Sequence, residues 1–109
     1  MSQAQFIHDG AAVDHTPDAD VDAGTVVVIG DLVGITKRDI KAGTLGSIAV
    51  EGVFDVIKDS AVAITAGAKV YWDAVNSVVV TTATGNKLIG KALADAGAGT
   101  TEVRVRLSQ

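Results

Sequence analysis

Glycine punctuates this chain, and the apolar runs between its glycines are short. The twelve Gly recur between runs of Val, Ile, Ala and Leu, many with Asp, Asn, Glu or Ala beside them. Many short strands joined by tight turns require that spacing. The chain is 48% hydrophobic but only 4% aromatic, so its core must consist of small side chains in closely packed β layers. Such a composition is not that of a disordered chain. A length of 109 residues suits one domain spanning 1–109, large enough to bury roughly two thirds of the surface its unfolded chain exposes.

Along the chain, residues 3–8 and 11–15 flank Asp9-Gly10. A two-residue Asp-Gly loop favours a type I′ hairpin, because both positions must accept positive φ, so a first hairpin is expected there. Residues 16–24, TPDADVDAG, read as an acidic connector. A valine-rich strand at 25–29 turns at Gly30-Asp31 into a second at 32–36. Charged residues 37–41 then lead through Ala42-Gly43 to a strand at 45–50, and Glu51-Gly52 turns into another at 53–57. In DSAVAITAG, 59–67, a short helix competes with extended chain. Ala favours the helix while Val62, Ile64 and Thr65 oppose it, and a loop is the expectation.

The stretch 67–93, GAKVYWDAVNSVVVTTATGNKLIGKAL, holds the only Trp and the only Tyr. A period of two puts Val70 and Trp72 on one face and Lys69, Tyr71 and Asp73 on the other, so Trp72 is assigned to the core. Turn formers at 73–77 and at Thr84-Gly85-Asn86 divide the stretch into consecutive strands. Residues 101–107 alternate cleanly. Val103, Val105 and Leu107 face inward and Glu102, Arg104 and Arg106 outward, as in an antiparallel strand with one solvated side. The sum is an all-β chain of eight or nine short, mostly antiparallel strands, arranged as a small barrel or sandwich.

Thirteen acidic residues against nine basic give a net charge of −4. The basic residues are scattered along the sequence, so the positive surface that nucleic acid requires is not expected. Without Cys there is no disulfide and no thiolate metal site. The amino terminus, MSQAQFIHDG, lacks a basic region followed by an apolar run, and no segment is long and apolar enough for a membrane helix. A soluble chain without an export signal is expected.

Three constellations imitate chemistry. Asp18, Asp20 and Asp22 copy the first ligands of a calcium loop, but Ala23 and Ile29 stand where such a loop needs Gly and a bidentate Glu. His8 and His15, with Asp9 and Asp14 near them, could approach a metal across the first hairpin, yet no third ligand is specified and surface imidazoles are the plainer reading. The Gly-containing turns match neither a P-loop nor a dinucleotide fingerprint. No base with an orienting partner can be placed in one cleft, so no catalytic residue, metal ligand or cofactor is assigned.

The order TPDADVDAGTVVVIGDLVGIT, VEGVFDVIK, AGAKVYWD, TATGNKLIGKAL, TTEVRVRL resembles the phage capsid cement, or decoration, protein family over nearly the whole chain. Its most specific parts are Val70-Tyr71-Trp72-Asp73, the Thr84-Gly85-Asn86 turn followed by Leu88-Ile89-Gly90, and the closing Val103-Arg104-Val105-Arg106-Leu107. The resemblance implies a β-rich structural protein on the outside of a tailed-phage or prophage head. Its partner would be the major capsid protein lattice, and it would carry no catalytic residues. It also implies a homotrimer, made in the host cytoplasm during assembly.

Residues 1–5 carry no charge and no strand signal. They are expected to form a mobile arm that adds a strand to the partner, with Gln3, Gln5 and the outward Tyr71 as candidate contacts. A small β-barrel binding a ligand or carbohydrate is the alternative, for which four aromatic residues are few, since sugars stack on rings. A small enzyme using His8, His15 or the acidic loop is the third reading.

Overall fold

A computed structural model describes residues 3–108, and nine strands without a helix occur among them. They are β1 (Ala12–His15), β2 (Val26–Ile29), β3 (Leu32–Ile35), β4 (Gly46–Ala49), β5 (Val53–Ile57), β6 (Lys69–Asp73), β7 (Val78–Val80), β8 (Lys87–Ala92) and β9 (Glu102–Leu107). The first sheet has the order β1-β4-β3-β2 and the second β5-β9-β8-β6-β7, with antiparallel pairing throughout. The chain is therefore all-β, as its turn spacing predicts. The sheets pack on each other without closing into a barrel.

The β2–β3 hairpin is the clearest local success of turn chemistry. Ile29 pairs with Leu32 across Gly30-Asp31, and Gly30 takes φ +60, the left-handed conformation that hairpin turns require of their first central residue. The hairpin expected at Asp9-Gly10 does not form. Residues 3–11 belong to no strand, and β1 pairs with β4, from Ala12 opposite Ala49 to His15 opposite Gly46. A two-stranded ribbon alone is marginal in water. Pairing with β4 instead extends a sheet and lays half-buried Val13 beside fully buried Ile48.

Glu51-Gly52 also differs in role from an ordinary turn. It passes the chain from the first sheet to the second, with Gly52 at φ +115. Residues 59–67 form no helix. Ile64 and Ala96 exchange two backbone hydrogen bonds of 2.8 Å, which seals Ile64 into the core.

That core lies between the sheets. Val33 and Ile35 of β3 meet Val56, Val70, Val79, Ile89, Val103, Val105 and Leu107 from the second sheet. β9, the last strand in the chain, sits second in its sheet between β5 and β8. Its inward residues Val103, Val105 and Leu107 are 2%, 0% and 1% exposed. Close approach of β8 to β9 depends on Gly90, where a Cβ would lie 2.0 Å from the carbonyl oxygen of Arg106.

One cation is buried with the apolar groups. The Lys58 ammonium donates to the carbonyls of Asp59 at 2.9 Å, Thr100 at 3.0 Å and, more weakly, Gly97 at 3.4 Å. These bonds satisfy its three donors and tie the 97–100 loop to the end of β5.

Candidate interaction surface

The residues that imitate catalytic or metal chemistry are separated or otherwise engaged. His15 is on β1, while His8 lies in the unpaired segment before it, so no hairpin brings them together. Among the described residues no three His, Asp or Glu side chains converge as a metal site would need. The acidic connector packs on the 37–44 segment through reciprocal Val21–Ile40 backbone bonds. Asp20 accepts the Ala42 N–H at 2.8 Å and faces Lys41 at 3.6 Å. Asp39 reaches back to the Ala23 N–H at 2.8 Å. These carboxylates fasten two loops, work that peptide donors suffice to explain.

Trp72 stands at the margin of the core rather than inside it. It packs against the buried cluster beside Phe54 and, with Val26, Ile35 and Val56, lines a cleft of about 460 Å³ between the sheets. Val70, two positions back on the same face, is fully buried. The pleat survives because a bulge opposite Val70/Tyr71 is absorbed in β8 between Leu88 and Gly90.

The outer face of the five-stranded sheet is where the register produces something the linear sequence conceals. Lys69 of β6 stands opposite Lys91 of β8, and Lys91 stands opposite Arg106 of β9. All three are exposed, and their chain neighbours Val70, Ala92 and Val105 are buried. A row of three cations thus crosses three adjacent strands. The next row holds Leu88, Tyr71 and Val80, again directly opposite one another and each half-buried. Like charges directly opposite on a sheet oppose its formation.

A neighbouring pair on this face is built differently. The Arg104 guanidinium grips Asp55 at 2.9 and 3.1 Å. That hydrogen bond holds the Asp55 carboxyl below its usual range and raises the Arg104 pKa. At the sheet's far end Lys87 reaches Asp31 in the β2–β3 turn at 2.7 Å, and the hydrogen bond, reinforced by the charge, lowers the Asp31 pKa. Asp73 is lowered by the Asn76 amide, which bonds it at 2.8 Å in the β6–β7 turn.

At the amino terminus Gln3 and Gln5 are exposed, and so are Phe6 at 80% and Ile7 at 74%. Gly10, just after this segment, lines a recess with Glu51, Arg106 and Ser108. Two features escaped the sequence reading. Phe6-Ile7 was readable as an apolar pair beyond the first strand, whereas the cationic row was not, because its members are far apart in sequence and only pairing aligns them.

The described residues thus form a small all-β protein that exposes a row of three cations and an apolar segment before its first strand. The sequence profile of the phage cement protein family matches residues 7–107. The chain belongs to that family, a class of structural phage capsid proteins. No curated protein and no solved structure matches it.

Proposed function

We propose that this protein binds the outer surface of a tailed-phage or prophage head and stabilises the lattice of the major capsid protein. The family match across 7–107 carries the reading. The protein is made in the host cytoplasm, acts as a single domain and joins the head as a homotrimer, the symmetric state that local threefold positions of a lattice favour. Its contacts are the amino-terminal segment with Gln3 and Gln5, and the face that carries Tyr71. Exposed backbone in residues 3–10 is available to pair with a partner's sheet edge, a mode that gains main-chain hydrogen bonds without a deep pocket.

Mixing the purified protein with expanded heads that lack it, then pelleting, tests the proposal. Saturable co-sedimentation at a fixed copy ratio is expected, and its absence would sink the proposal. Removal of residues 1–5 should weaken binding and leave thermal stability unchanged. Image reconstruction of decorated heads should place density on threefold positions.

A further inference from the structure

We infer that the outer face of the five-stranded sheet docks a carboxylate-rich surface of the protein it decorates, with Lys69, Lys91 and Arg106 selecting that surface. The inference rests on the capsid reading above and assigns the chemistry of the contact. Three cations opposite one another on adjacent strands disfavour the free sheet. None has a side-chain hydrogen bond or ion pair with a described residue. Glu51 shares a shallow recess with Arg106 yet lies beyond ion-pair distance, and Glu102 lies at the far end of β9 opposite Ile57. On the same face the fold does neutralise Arg104 with Asp55, so the open row is not a general property of the face.

Beside the row, Leu88, Tyr71 and Val80 supply half-buried apolar area. An apolar strip bordered by charge is the usual anatomy of a protein contact. The acid that matches the row comes from another protein rather than from a second copy, because seven of this chain's thirteen carboxylates are engaged and the others form no matching row. Asp20, Asp31 and Asp55 are ion-paired, and Asp39, Asp59, Asp73 and Asp95 accept backbone N–H groups. The other six are dispersed: Asp18 and Asp22 lie in the connector, against the segment that carries Lys37, Arg38 and Lys41, Asp9 and Asp14 lie before and within β1, Glu51 is in the turn between the sheets, and Glu102 begins β9. A net charge of −4 also sets the whole molecule against a nucleic acid, so the row acts at contact range on a protein surface.

The test compares wild type with Lys69→Glu/Lys91→Glu in pelleting assays on expanded heads, at low and high salt. Both side chains point to solvent, so the variant should melt at or above the wild-type temperature. It should bind heads at least about tenfold more weakly at low salt, and the salt dependence of the wild type should shrink. Lys69→Gln/Lys91→Gln should fall between the two. If wild type itself does not bind heads, the capsid reading fails. If wild type binds and the reversed variant binds equally, that reading stands and this inference falls. Two further results would overturn it: the free variant losing an oligomer that free wild type forms, which puts the row between copies, or wild type binding duplex DNA through the same lysines.

Discussion

The two ends of the described chain make opposite use of apolar residues. β9 threads between β5 and β8 and buries Val103, Val105 and Leu107 almost completely. Residues 3–10 join no strand and leave Phe6 and Ile7 in water. Hydrophobicity does not separate these segments; partners do. Strict alternation gives β9 one face for the core and another for solvent, while both edges find a strand to pair with. Phe6 and Ile7 are adjacent, so an extended backbone sends them to opposite sides and no single surface of the fold can take both.

The contrast can be broken at several points. The largest loss is expected from Leu107→Ala, which opens a hole in the sealed layer and should cost about 2–5 kcal/mol in urea unfolding. A cost under about 1 kcal/mol would show that β9 does not hold the core. Trp72→Ala should come next, at about 2–3 kcal/mol, because the indole is half-buried beside the cleft and its removal leaves space that water can enter. Native fluorescence that is partly accessible to quencher would agree with this margin position, and complete protection would not. Gly90→Ala should cost about 1–3 kcal/mol by forcing β8 away from the Arg106 carbonyl, and wild-type stability in that variant would contradict the close approach.

Acid should have a smaller effect. Asp31, Asp55 and Asp73 have folded pKa values below their unfolded ones, so each stabilises the fold above the ordinary carboxylate range. That contribution is lost as pH falls through the folded values. Melting temperature should therefore be flat near neutrality and drop below about pH 4, and Asp55→Asn should blunt the drop slightly. The smallest effect is expected for Phe6→Ala with Ile7→Ala, within about 0.5 kcal/mol of wild type. A larger loss would mean that the segment is held by the fold after all.

What the sequence revealed follows the same division between local and distant information. β5 and β9 were legible because alternation and flanking turns lie within each strand, and the Gly30 hairpin because a two-residue turn joins its own neighbours. The Asp9-Gly10 hairpin was misread because its turn signal is equally local, while the competing partner, β4, lies beyond two other strands. Glu51-Gly52 looked like every other turn, and only the sheet assignment shows that it changes layers. The cationic row on the candidate surface demanded the pairing of β6, β8 and β9 in one register, including a bulge in β8. No pattern within a single strand contains that information.

The place of β9 in its sheet also bears on how the protein emerges from the ribosome. β5 is made before β6, β7 and β8, yet its one ladder partner, β9, follows all three. Until then β5 presents an unpaired edge and half of the inner layer lacks its cover, the state in which nascent β proteins are exposed to misassembly. Emergence of β9 therefore closes that layer, and chains truncated before residue 102 should be cut rapidly by protease where chains that include β9 resist. The Arg106 end of the cationic row arrives in the same step, so a partially made copy cannot present the complete docking face.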